Sequence, residues 1–136
     1  MTSTLGKGVV FERLPDNVLA FTLQDSSVKA IKEMFAMMEK VIDYTNPQRT
    51  HPDLILIDTN AAMPPLIPVY DELINFYEQH RPPPSRVAVL LSNNSIITSA
   101  INLIVIAVSR YQRDAKISVF RLYERQKALE WLQKDV

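Results

Sequence analysis

LILIDTNAAMPPLIPVYDEL, residues 54–73, decides the fold class. Leu54-Ile55-Leu56-Ile57 is apolar at four consecutive positions, with no polar alternation, and so predicts a strand covered on both faces, as in a parallel sheet. Asp58 closes the run, Thr59 and Asn60 follow, and Met63-Pro64-Pro65 stiffens the chain into a rigid apolar lip before a second pattern begins. In that pattern Val69, Leu73, Phe76, Tyr77 and His80 recur at helical spacing. Asp71 and Glu72 fall in its first turns, where carboxylates favour the positive end of the helix dipole. Pro82-Pro83-Pro84 ends it. A buried strand, a loop and a helix make one α/β unit, and the loop beyond the strand's C-terminal end is where such a unit presents its chemistry.

Upstream, residues 8–14 and 17–24 alternate or run apolar around Leu14-Pro15-Asp16-Asn17, whose residue types suit a tight turn, and predict a β-hairpin. Asp25-Ser26-Ser27 supplies N-cap chemistry. Val28, Ile31, Phe35, Met38, Val41 and Ile42 then predict a helix that Asn46-Pro47 stops. Met34, Met37 and Met38 in this helix could line an adaptable surface, but methionine at core-facing spacing fills gaps in a core, which is the reading adopted. Downstream, residues 86–92 predict a second buried strand and Asn93-Asn94-Ser95 a polar cap before an apolar helix over 96–113. Residues 116–121 predict a last strand, and 124–134 a last helix that buries Ala128, Leu129 and Leu132. The order is ββαβαβαβα: one α/β domain over 1–136 with a mostly parallel five-stranded sheet, its first strand antiparallel because a hairpin joins it to the second. The loops after Gln24, Asp58 and Ser92 then meet at one edge.

Composition removes several function classes. The chain of 136 residues is 47% hydrophobic and 22% charged, a globular mixture of single-domain length. Fifteen basic and fifteen acidic residues cancel, so no global field draws in nucleic acid or an anionic membrane surface. The absence of cysteine removes disulfide and thiolate chemistry and makes the cytoplasm the default location. Residues 1–8 lack a signal-peptide core. Segment 96–108 is the most apolar, but Thr98, Ser99 and Asn102 interrupt it and it falls short of the ~20 residues that cross a bilayer, so no transmembrane segment is expected.

Gly6 and Gly8 both precede the first expected strand, leaving no glycine-rich loop to close on a phosphate. His51 and His80 lack partners at ligand spacing, so neither a metal nor another cofactor is expected. Asp53 and Asp58 flank one strand about 16 Å apart. That is too far to act as a pair on one bond, and both read as strand ends in solvent. No Gly-x-Ser-x-Gly elbow occurs. No catalytic residue is assigned, and the chain is not expected to be an enzyme.

The element order, the strand ending in Asp58 with its loop before the second helix, RVAVLLS (86–92) and ISVFRLYERQKALEWL (117–132) together resemble the SpoIIAA-like superfamily. That superfamily includes the STAS domains of anti-sigma factor antagonists and their diverged, Sec14-like relatives. The closing Ala128-Leu129-Glu130-Trp131-Leu132 is similar to the FxxxxEALxWL ending of the diverged branch, although Trp131 and Leu132 could equally pin the last helix to the sheet. In the antagonists this loop leads to Asp-Ser-Ser-Gly at the next helix, where a kinase phosphorylates serine and the added charge breaks the partner complex. Here no serine or glycine lies between Asp58 and Pro84, and Thr59 directly follows the strand. The resemblance therefore implies a bacterial regulatory domain whose switch serine is missing.

Two functions follow. One is a non-catalytic STAS-like module that binds another protein through Asp58, Thr59, Asn60, Met63, Ser92, Asn93 and Asn94, although Asn93, Asn94 and Ser95 also suit helix capping. The alternative is a Sec14-like carrier or sensor of a small apolar ligand, held in a closed apolar cavity of roughly 300–1,000 Å³. Self-association is a further expectation. At about 100° per residue the apolar positions of 96–113 span an arc of about 200°. Ala100, Ile104, Ala107, Val108 and Tyr111 centre on the sheet, while Ile101, Val105 and Ile106 are left for a twofold homodimer. Light scattering is expected to give a dimeric wild type and a folded, monomeric Val105→Glu; a monomeric wild type, or a folded dimeric variant, removes this helix from the interface.

Overall fold

The apolar run at 54–57 lies where its composition requires, in the middle of a sheet. In a computed structural model, which describes residues 2–5, 8–25, 27–41, 53–59, 66–79, 85–91, 102 and 116–134, the strands are β1 Thr2–Leu5, β2 Val9–Leu14, β3 Val18–Leu23, β4 Asp53–Asp58, β5 Ser85–Leu91 and β6 Lys116–Arg121. The helices are α1 Val28–Val41, α2 Leu66–Gln79 and α3 Arg125–Gln133. Among the described residues the six strands are ordered β1-β2-β3-β4-β5-β6. The first two pairings are antiparallel and the other three parallel. The helix expected over 96–113 lies outside the described residues except for Asn102, which is helical and exposed.

All five expected strands are present, and β1 adds one more at the edge, pairing Thr2 with Glu12 and Leu5 with Val9. Gly8 therefore sits in the turn between β1 and β2 rather than ahead of the sheet. Its carbonyl accepts from the Gln24 amide at 2.8 Å, and its own amide donates to Glu33 Oε2 at 3.1 Å. A Cβ here would lie 2.8 Å from the Ala30 backbone, so glycine lets α1 approach this closely. The hairpin between β2 and β3 turns through Pro15–Asn17, with Asp16 at φ 66° and Asn17 at φ 63°. Those two residue types tolerate the left-handed region best after glycine.

The Ser27 hydroxyl caps α1 by accepting from the Ala30 amide at 3.1 Å. Asp25 Oδ1 in turn accepts from the Ser27 hydroxyl and from its amide, the latter at 2.8 Å. The hydroxyl bond first, and then the amide bond, hold the Asp25 carboxyl below its usual pKa. Its contribution is thus present above the unfolded-state value and is lost as pH falls through the lowered one. The second helix begins at Leu66 and includes Pro68, so Asp71 and Glu72 stand beyond the first turn rather than within it. Proline is tolerated so early because first-turn amides have no intrahelical acceptor. Glu72 instead faces Lys32 of α1 at 3.9 Å.

Two cores sandwich the sheet. On one face Val9, Phe11, Leu19, Phe21, Leu23, Ile55 and Val87 pack with α1 and Phe76 of α2. Phe11 meets Phe21 at 5.1 Å and Phe35 meets Phe76 at 5.4 Å between ring centroids. Met34, Met37 and Met38 are all buried here, as the core reading of the methionines required. On the other face Val18, Ala20, Leu54, Leu56, Ala88 and Leu90 pack with Ala128 and Leu132 of α3, while Leu129 is only half-buried against them. Ile31→Ala is expected to destabilise by about 2–5 kcal/mol, and Met37→Leu, which conserves volume, by less than about 1.5 kcal/mol, in urea titrations. Equally small effects would mean that this stripe is not packed as core.

Candidate functional site

Parallel register decides which residues share an edge. Thr22 stands beside Asp58, Asp58 beside Leu90, and Leu91 beside Arg121, so the C-terminal ends of β3 to β6 align. This is the edge at which parallel α/β sheets bind ligands. Of the partner loop read from the sequence, Asp58 and Thr59 are found there. Asn60, Met63, Ser92, Asn93 and Asn94 lie outside the described residues, as do Ile101, Val105 and Ile106 of the expected self-association patch.

Thr59 is only 2% exposed. Its hydroxyl donates to the Leu90 carbonyl at 2.9 Å and its amide donates to the same oxygen at 3.2 Å. The residue thus extends the β4–β5 ladder one step past the strand and turns its hydroxyl inward. Asp58 Oδ2 lies 3.5 Å from Arg125 Nη1, which ties the end of β4 to the start of α3. The solvated strand ends expected at 53 and 58 are corrected here: Asp53 is 6% exposed and Asp58 is half-buried and paired. The physical reason is their central strand, which has neighbours on both sides and a helix above its C-terminal end.

Beyond β6 the chain makes a single turn, Leu122–Glu124, before α3. Glu124 Oε1 accepts from the Arg121 amide at 2.9 Å, and its Oε2 pairs with Lys127 Nζ at 3.4 Å. The backbone bond is the larger reason that the Glu124 carboxyl is held below its usual pKa, followed by Lys127. This support too is lost as pH falls through the lowered value. The Arg121 guanidinium donates to the Tyr123 hydroxyl at 2.8 Å, and Tyr123 is 75% exposed. At the far end of α3, Arg86 donates to the Trp131 carbonyl at 3.4 Å and to the Lys134 carbonyl, a cation at the negative end of the helix.

These residues were not among the candidates read from the sequence. The available signal was the interleaving of Arg121, Tyr123, Arg125 and Lys127 just after a strand, a pattern rich in the residue types that anchor interfaces. Beside them, Phe120, Lys127, Glu130, Trp131, Gln133 and Lys134 line a groove of about 570 Å³ that is open to solvent. Among the described residues no three His, Cys, Asp or Glu side chains converge as metal ligands, and no helix is long and apolar enough to cross a membrane.

No protein-family model and no curated protein sequence matches the chain. Its structure is similar to that of an uncharacterized protein from the DUF3478 family of Shewanella loihica PV-4, described as having a SpoIIAA-like fold. The two are 20% identical, the match covers 97% of this chain and 98% of that one, and the TM-score is 0.54. The fold is therefore SpoIIAA-like, as the element order implied.

Thr59→Val is expected to cost about 1 kcal/mol, since the amide still serves the Leu90 carbonyl. Thr59→Glu is expected to cost about 3–5 kcal/mol, because it buries a charge in place of the hydroxyl. Chemical denaturation measures both, and a phosphomimetic variant as stable as wild type would mean that the residue swings out to solvent.

Proposed function

We propose that this domain is a non-catalytic, cytoplasmic STAS-like regulatory module that acts by binding proteins, without a phosphorylation switch at Thr59. The observation that carries this reading is the state of the polar groups at the C-terminal sheet edge. Thr59, Asp58 and Glu124 are each engaged in holding strand ends and α3 together. The side chains turned outward beside them are an exposed tyrosine and an arginine, which suit recognition better than bond-breaking. The groove beside α3 adds support, since it is open and carries Lys127, Glu130 and Lys134, whereas a lipid carrier needs a closed apolar chamber. Self-association through Ile101, Val105 and Ile106 is compatible with this role.

Native mass spectrometry of protein purified from cells, compared with the denatured mass, tests the reading against the carrier. The expected result is the mass of the chain, or an integral multiple of it, with nothing added. A reproducible small molecule that leaves on denaturation would replace the interaction module with a ligand carrier. Incubation with a cognate kinase is expected to leave Thr59 unmodified, and stoichiometric phosphothreonine would restore the switch.

A further inference from the structure

We propose that the exposed side of β6, together with the groove between β6 and α3, receives an extended acidic segment of a partner protein, which adds a strand to the sheet and seats an apolar side chain between Phe120 and Trp131. This rests on the reading of the domain as an interaction module and names the surface and the chemistry of its partner.

The first observation is the strand itself. β6 is the terminal strand of the described sheet and pairs with β5 on one side only, from Arg86 with Lys116 to Leu91 with Arg121. Ile117, Ser118, Val119 and Phe120 are all half-buried, unlike Leu54, Ile55 and Leu56 of β4, which are buried. An outer strand leaves a row of amides and carbonyls ready to pair with another chain, and proteins usually blunt such edges with proline, bulges or charges. Here the four central positions carry none of these, and the charges stand at the two ends, Lys116 and Arg121.

The second observation is the groove. Its floor is aromatic, with the Phe120 and Trp131 rings 5.9 Å apart, and it is flanked by Lys134, by Glu130 and by Lys127, which also pairs with Glu124 at 3.4 Å. Lys127 and Trp131 lie one turn apart on one flank of α3 and Lys134 follows at its C-terminal cap, so the groove follows the helix alongside the strand. A chain that pairs with β6 points alternate side chains toward this face, within reach of the aromatic floor.

Charge selects the occupant. If a second copy of β6 paired antiparallel about a twofold axis at the strand centre, Lys116 would face Arg121 at both ends, and like charges directly opposite one another are destabilising. A different segment avoids this conflict and gains from it when it carries carboxylates on either side of an apolar anchor. Four cations then bracket it against the two carboxylates Glu124 and Glu130: Lys116 and Arg121 along the strand, Lys127 on the helix and Lys134 at its C-terminal end.

The test selects a displayed library of random linear peptides on the wild-type chain and measures the enriched peptides against Lys127→Glu/Lys134→Glu, whose substitutions lie on exposed positions. Expected are sequences with acidic residues flanking an aromatic or aliphatic one, perturbation of the β6 amides in NMR spectra, and affinity reduced about tenfold or more by the double substitution. Enrichment of sequences without acidic residues, binding that the double substitution leaves unchanged, or no enrichment at all would overturn the inference. A wild-type dimer that the same substitutions dissociate would place a second copy in the groove and overturn it as well. These failures leave the interaction-module reading in place, because only a co-purifying small molecule in the native mass measurement removes that reading.

Discussion

The requirement that the central strands be covered on both faces organises this molecule. Leu54 and Leu56 point to one core and Ile55 to the other, and each side chain of this size gains about 1.5–3 kcal/mol from burial. One face is covered by α1 and by Phe76 of α2. The opposite face depends, among the described elements, on α3, a helix of nine residues that buries Ala128 and Leu132. Isolated helices shorter than about 12–15 residues are marginal in water. The sheet supplies what this helix lacks: Arg125 reaches Asp58 at one end, and Arg86 reaches the last carbonyls at the other. Asp58 and Arg86, at opposite ends of two neighbouring strands, thus serve the burial of Leu54, Leu56 and Leu90 beneath α3.

The same register that buries the core determines what the C-terminal edge can do. Thr59 continues the parallel ladder onto Leu90, so the hydroxyl that directly follows β4 is committed to a backbone carbonyl. Phosphorylating it would remove the hydroxyl donor and place two charges where the residue is 2% exposed. Among the described residues, the outward polar chemistry lies further along the sheet, at Arg121, Tyr123 and the flank of α3. The surface proposed for recognition therefore lies beside β6 rather than at the loop after β4.

Much of this architecture was legible because it rests on local periodicity. The unbroken apolar runs at 54–57 and 87–91 announced strands covered on both faces, and the helical spacing of Ile31, Phe35 and Met38 placed α1. What escaped was non-local. β1 is short and polar, and it is a strand because Val9–Glu12 offers it an edge, not because of its own pattern. Asp58 and Asp53 looked like solvated ends because Arg125 and the neighbouring strands that enclose them come from distant parts of the chain. Thr59 was placed at the correct edge, but whether its hydroxyl points outward depends on the Leu90 carbonyl. Arg86 appears in the sequence as one more basic residue before an apolar run, and only the return of α3 across the sheet gives it a helix terminus to cap.

The outer strand of the described sheet has two opposing consequences, and the charges around β6 separate them. Exposed strand backbone invites any extended chain, including another copy, and gives affinity without discrimination. Lys116 and Arg121 at opposite ends of one strand penalise self-pairing, so at the proposed surface selectivity would arise from repulsion as much as from attraction. The wall of the adjoining groove is a helix already held at both termini, so an incoming segment does not have to order it on binding. Pre-organised walls reduce the entropic cost of association, which is the largest charge against a short, flexible ligand. The interactions that let a nine-residue helix cover a hydrophobic sheet therefore also fix one wall of the proposed binding surface.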